Sequence, residues 1–522
     1  MLKPKSPQTS FFMSGGYLYD RIVPQDHLLR KINAVVDFSF VNDLVKDRYT
    51  PDFGRPAEDP EFMLRLCLLQ YLYGNSDREV VANAKMHLAY KYFLGLAVDE
   101  EVPDDTTISY FRAKRLGEDK FRQVFENIVQ QCIDKGLVKG KRQIVDSTHI
   151  IADIAVTSLT NLVKLCRKNV IKDVERQKPD TAKKLGWEDV ICSKEDRFAR
   201  KEDHLDKELE AAKTLLDSVT DELKQDKLEV TTELAKDLEI LEKAVADRED
   251  GVKDRLVSPV DPDARMGKKE SKRWAGYKGH VVMEEDSEII TAVETTAANK
   301  ADGNQLKGLL RQQESALSLV PEEISADKAY DSGANLELLD NKGITGNMGL
   351  TRKVNIRAMD LFSIDNFHYD AENDTVTCPA GCVARYSARS VFHSEDQQKR
   401  GRVFQFSRKQ CGACNLREKC HRNNSKTRGR AVYISYSHDL FQRMRARMES
   451  EAGQEAYRQR YKIEHKVADL ARWCGMRRSR YRGLTRAGIH TLLAAITSNV
   501  KRMAKLLWEI PEIPPPKLVA VT

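Results

Sequence analysis

The stretch Arg142-Gln143-Ile144-Val145-Asp146-Ser147-Thr148-His149-Ile150-Ile151 is where this chain changes character. Half of it is Ile, Val or Thr, and neither Gly nor Pro interrupts it, so it reads as a strand. Asp146 stands in its middle, where an isolated charge is costly. Downstream, Gly276-Tyr277-Lys278-Gly279-His280-Val281-Val282-Met283 and Glu288-Ile289-Ile290-Thr291-Ala292-Val293-Glu294-Thr295 read as a hairpin. A helix over 305–312, a strand over 323–326 and a helix over 335–341 follow. Strand, hairpin, helix, strand, helix is an α/β pattern.

Upstream, residues 1–135 read as all helical. The apolar run Pro60-Glu61-Phe62-Met63-Leu64-Arg65-Leu66 opens one helix, and Ser76-Asp77 is a cap signal for the next. Asp105 is expected to cap a third, Thr106-Thr107-Ile108-Ser109-Tyr110-Phe111-Arg112-Ala113-Lys114-Arg115. Short polar residues followed by basic ones suit a helix-turn-helix DNA reader with Thr107, Arg112 and Arg115 on the DNA face. The alternative is a surface helix of a small bundle.

A chain of 522 residues exceeds one ordinary core. Net charge is +7, a mild bias towards polyanions, and 32 % of residues are charged. That charge concentrates between about 165 and 275, which reads as a solvated helical insertion over 155–260. Within it Leu205, Leu209, Ala212, Leu216, Val219 and Leu223 alternate steps of four and three, a coiled-coil-like helix or helical hairpin. No apolar run is long enough for a membrane span, and the start lacks a secretory apolar region. The expectation is a cytoplasmic protein without membrane contact.

Five of the ten cysteines fall within 378–420. Cys378, Cys411, Cys414 and Cys420 make a closed four-thiolate set for structural Zn2+, with Cys382 and His421 as nearest substitutes. Four protein ligands leave no open position for a reactive water, so this metal is expected to be structural.

Two further acids join Asp146. Asp327 ends Ile324-Ser325-Ala326, and Glu464 ends Tyr457-Arg458-Gln459-Arg460-Tyr461-Lys462-Ile463-Glu464. On a continuous helix Tyr457, Arg460 and Glu464 form one stripe. Three acids from distant segments suit two hard cations, Mg2+ or Mn2+, about 4 Å apart across a phosphodiester. Asp153, Asp331 and Asp469 are competitors placed on other faces or in a turn. Arg472, Arg477, Arg478, Arg480 and Arg482 crowd behind Glu464 as a phosphate track. Trp473 reads as core packing, with base stacking as the alternative.

The block from Pro60 to Leu116, Ile144-Val145-Asp146-Ser147-Thr148, Gly276-Tyr277-Lys278-Gly279-His280, Ala326-Asp327-Lys328-Ala329-Tyr330-Asp331-Ser332 and Tyr457-x2-Arg460-x3-Glu464 together resemble DDE transposases of bacterial insertion sequences. The likeness runs from about 15 to 505 and is weakest in the charged insertion. It implies an RNase H-like core over 140–154 and 262–350, a Cys-rich zinc insertion over 351–435, closing helices over 436–510 and a tail at 511–522. It implies Asp146, Asp327 and Glu464 as metal ligands. Tyr457, Arg460 and Lys278 would hold phosphate of double-stranded DNA. The activity implied is cutting at terminal inverted repeats by a nucleoid-associated homodimer, then joining of the 3′-OH ends to target DNA. The signature expects Lys seven residues beyond Glu464, where this chain has Ala471; Arg472 is about 100° further round a helix. A nuclease or resolvase without strand transfer, and a catalytically weakened zinc-containing DNA-binding protein, are the alternatives.

Overall fold

The structure, a computed structural model, describes residues 16–50, 57–184, 201–225, 228–248, 252–349, 361–394, 397–421 and 429–508. The tail expected at 511–522 lies outside them.

The expected strand forms as β1, Arg142–Ile151. With it come β2 (Arg265–Lys269), β3 (Lys272–Glu284), β4 (Ile290–Ala297), β5 (Glu323–Ala326) and β6 (Thr345–Met348). The sheet runs β2-β3-β1-β5-β6, with β4 also on β3. β1 is antiparallel to β3 and parallel to β5; β5 and β6 are parallel, and β3 and β4 antiparallel. β3 serves two partners on its outer edge, β2 up to Gly276 and β4 from Tyr277. Gly276 has φ +149°, and a Cβ there would lie 2.2 Å from the Ile150 carbonyl, so the handover point admits only glycine.

Alternation along β1 assigns its two faces. Val145, Val282 and Ala326 pack with Leu306 and Leu309 of the helix Leu306–Leu317. Ile144 and Met283 point the other way, onto Ile463 of the helix Tyr461–Trp473. Ser325 of β5 donates to the Ala456 carbonyl at 3.1 Å, which ties the helix Glu451–Arg458 to that second face.

The N-terminal helices share a core with the sheet. Leu29, Leu68, Phe121 and Phe125 belong to the same buried cluster as Ile150, Tyr277 and Val293 of the sheet. The long helix Leu484–Leu507 contributes Leu493, Ile496 and Val500 to it. Two buried polar residues lock this helix. Asn499 donates to the Ile290 carbonyl and accepts from the Ile290 amide, both at 2.8 Å. His490 meets the Tyr71 hydroxyl at 2.8 Å and the Gly475 carbonyl at 3.1 Å.

In the charged insertion the helices Leu159–Gln177, Lys201–Lys224 and Thr232–Ala246 pack on one another through Val163, Val170, Ala212, Val219, Leu234 and Leu241. The leucine stripe is thus spent within the chain. Arg167 and Glu208, 2 % and 0 % exposed, form an ion pair at 3.2 Å inside this bundle. Removing either partner would strand a buried charge at a cost of about 3–5 kcal/mol.

The Cys-rich region is a second sheet, β11-β10-β9-β8-β7, built from β7 (His368–Asp370), β8 (Thr375–Thr377), β9 (Val383–Ser394), β10 (Gln397–Gln405) and β11 (Ala431–Ser435). Its core is Phe367, Val376, Phe404, Phe406, Val432 and Ile434.

Candidate active site

The β1–β5 ladder ends at the pair Val145↔Ala326. Asp146 is the next residue of β1, and Asp327 is the first residue past β5. In a parallel ladder, matched positions point to the same face, with strands about 4.8 Å apart. That face carries Ile463 and the Ala456 carbonyl, and Asp146 meets the C-terminal helices there through Arg460. Asp327 accepts from the Ala329 amide at 2.8 Å, capping the short turn Lys328–Tyr330 that follows β5.

Asp146 is largely buried. Its carboxylate accepts from the Ser147 amide at 2.7 Å and lies 3.5 Å from Nη2 of Arg460. Burial pushes its pKa up to about 6 and Asp327 adds to the rise, while the Ser147 amide, Arg460 and Lys269 oppose it. A carboxylate this reluctant to ionise gains most from a nearby cation.

The Tyr-Arg-Glu stripe is not on one helix. The helix Glu451–Arg458 stops, Gln459 and Arg460 form a turn, and a new helix starts at Tyr461. The break lets Arg460 swing towards Asp146 while remaining 3.3 Å from the Tyr457 hydroxyl. Arg460 also lies over the Tyr457 ring at 5.3 Å. Tyr457 is seated against Gly349, where a Cβ would lie 2.6 Å from the phenol oxygen and 3.2 Å from the Lys328 amide. Glu464 is exposed in the first turn of the new helix, next to Ile463, which packs on β1 and β3.

The competitor acids go elsewhere. Asp153 pairs with Arg482 at 3.5 Å, and Asp469 is exposed. Several expected phosphate ligands are internal struts instead. The helix widens to a π-type stretch over Phe111–Leu116, which breaks the register that would have put Arg112 outside. Arg112 is buried and pairs with Asp77 at 2.6 Å. Arg480 donates to the Asn75 carbonyl and lies over the Tyr71 ring. Lys278 is mostly buried and holds Asp302 at 2.8 Å. Arg115 lies over Tyr49, and Thr107 is half-buried. Arg472, Arg477, Arg478 and Arg482 are exposed. Trp473, expected in the core, is 59 % exposed. Asp104, rather than Asp105, caps the helix Asp105–Tyr110.

Sequence reasoning missed Tyr330. Its side chain is fully buried, its hydroxyl has no hydrogen-bond partner among the described residues, and Asp302, Asp146 and Asp327 all raise its pKa after burial does. It also missed the run Lys268-Lys269-Glu270-Ser271-Lys272-Arg273 at the tip of the β2–β3 hairpin, counted there only within the charged stretch to about 275.

In the Cys-rich sheet Cys378, Cys382, Cys411, Cys414, Cys420 and His421 line one pocket. Cys382 and Cys420 are each raised in pKa by burial first and then by the same three thiols, Cys378, Cys411 and Cys414. Five thiols therefore line the same pocket, one more than the expected set. Among the described residues no group of three or more His, Cys, Asp and Glu side chains is gathered closely enough to hold a metal as it stands.

Comparison with known families adds two matches. A Transposase domain (DUF772) matches residues 17–114 and a Transposase DDE domain matches 377–504. No curated protein and no solved structure matches the chain. No described helix is long and apolar enough to cross a membrane. With a transposase domain among its N-terminal helices and a DDE domain reaching from the Cys-rich sheet into the helix Leu484–Leu507, the chain carries the domains of a DDE transposase of an insertion sequence.

Proposed function

We propose that this transposase binds the terminal inverted repeats of its element, hydrolyses the phosphodiester at each end and joins the freed 3′-OH to target DNA. The observation that carries the reading is the matched placement of Asp146 and Asp327 on neighbouring parallel strands, with Arg460 against Asp146. The strand order β4-β3-β1-β5-β6, with the first three antiparallel and the last two added in parallel, supports an RNase H-like core.

Asp146, Asp327 and Glu464 are the residues that would hold Mg2+ or Mn2+; their all-oxygen donor set fits such ions. Two such ions, when bound, polarise the scissile phosphate and lower the pKa of the attacking water. The chain's own part is placement. Asp146 and Asp327 are fixed by strand register. Arg460 offers its guanidinium to a phosphate oxygen on the Asp146 side, and the Tyr457 phenol keeps it there. Asp146, with a pKa near 6 even beside Arg460, is the acid whose ionised form a bound cation would favour most. Arg472, Arg477, Arg478 and Arg482 extend the phosphate contacts, and exposed Arg472 stands in for the lysine missing at Ala471. Exposed Trp473 offers a ring for an unstacked base.

The convergent thiols support structural Zn2+, held by Cys378, Cys411, Cys414 and Cys420 with Cys382 as the alternate. Bringing two ends together calls for two copies on DNA.

The test uses duplexes made from the DNA flanking the gene, one intact and one with a pre-cut 3′-OH end. The parent should cut the first and transfer the second, and Glu464→Ala should do neither. Cleavage without transfer would replace the reading with a nuclease, and cleavage by Glu464→Ala would remove Glu464 from the site.

A further inference from the structure

The hairpin formed by β2 and β3 is built against its own stability. Its register puts Lys268 opposite Arg273 and Lys269 opposite Lys272, two successive like-charge pairs directly across the ladder. Such pairs are destabilising. All four side chains are exposed, and none forms an ion pair among the described residues. The turn between them adds a further strain, Glu270 at φ +55°.

This tip is continuous with the arginine segment behind Glu464. The Ile151 amide donates to the Arg477 carbonyl at 3.0 Å and the Ser479 amide to the Ile151 carbonyl at 2.8 Å, so Arg478 is held against the end of β1 by a single parallel β-bridge. Arg477 thereby contacts the His149 ring, which packs on Trp274 at 5.0 Å between centroids. Trp274 lies on the same face of β3 as Lys272.

We propose that the β2–β3 tip and Arg477 form one clamp for the phosphate backbone of DNA entering the Asp146 site. Phosphates between the paired cations relieve the repulsion that the hairpin otherwise carries. The tip and Arg477 meet at one ring: burial first, and then the charges of Arg477, Lys269 and Lys272, hold His149 below its ordinary pKa. The proposal rests on the reading that DNA is the substrate.

The test is salt-dependent binding of the full chain to a fluorescent random-sequence duplex, compared with the quadruple variant K268A/K269A/K272A/R273A. Each lost phosphate contact lowers the slope of log affinity against log salt by about 0.9, so a fall of roughly 3 to 4 is expected. A charge-keeping variant, K268R/K269R/K272R/R273K, should retain the parent slope. With the like-charge pairs gone, the alanine variant should melt no lower than the parent, which separates lost contacts from lost fold. An alanine variant with the parent's slope overturns the clamp and leaves the transposase reading intact. A parent without measurable DNA binding overturns both.

Discussion

Asp146 and Asp327 stand one residue past the paired Val145 and Ala326, on adjacent parallel strands and on the same face of the sheet. Asp146 continues along β1, while Asp327 leaves β5 to cap the turn Lys328–Tyr330. The cost falls on Asp146, whose largely buried carboxylate is offset by the Ser147 amide, Arg460 and Lys269.

That cost predicts an opposition between activity and stability. A rise in pKa to about 6 corresponds to an electrostatic penalty of order 2–3 kcal/mol at neutral pH. Folding raises this pKa, so the folded state prefers the protonated acid. The relative stabilisation is full below the unfolded value near 4 and is lost as pH rises through 6. Asp146→Asn should therefore abolish metal-dependent cleavage yet raise the Tm of the metal-free protein at pH 7.5. The gain should vanish below about pH 4 in thermal melts.

Gly349 holds the Tyr457 ring in place by leaving room for it. Gly349→Ala would push a methyl to within 2.6 Å of the phenol oxygen, with the Lys328 amide close behind. We expect DNA cleavage to drop at least tenfold, a barrier increase of about 1.4 kcal/mol. The fold should survive in circular dichroism, because the phenol oxygen is the far end of a side chain that can swing aside.

The pairing of Asn499 with both backbone groups of Ile290 closes the end of β4 from within a helix. Asn499→Leu leaves a buried amide and carbonyl without partners. Urea denaturation should report a loss of about 2–4 kcal/mol.

His490 is fully buried and burial depresses its pKa to about 3, with Arg480 adding to the fall. A histidine depressed on folding stabilises the native state above its unfolded value of about 6.5, and that stability drains away as pH falls below it. His280, depressed to about 4 by burial, acts in the same direction. Melting temperature should decline from pH 6.5 to 4, and His490→Gln should flatten part of that decline.

Periodicity carried the framework well. Arg142–Ile151 and Glu323–Ala326 are strands at the residues expected, and the hairpin and following helix fall within a few residues of theirs. Asp146, midway along β1, and Asp327, just past β5, stand out in the sequence as carboxylates following apolar runs. Direction was not legible. A helix stripe through Tyr457, Arg460 and Glu464 assumed continuity that the turn at Gln459–Arg460 breaks. Arg112, Arg480 and Lys278 look like DNA ligands in one dimension, yet each finds a partner across the fold: Asp77, Asn75 and Asp302. Tyr330 carries no sequence signal beyond its motif, since burial of a phenol depends on what packs over it.

The most direct test of the paired-acid site replaces one oxygen ligand with sulfur. Asp327→Cys should be inactive on its element-end duplex with Mg2+ and regain cleavage with Mn2+, which accepts a softer ligand. Full activity of Asp327→Cys, or of Asp327→Ala, with Mg2+ would contradict a shared metal site at Asp146 and Asp327.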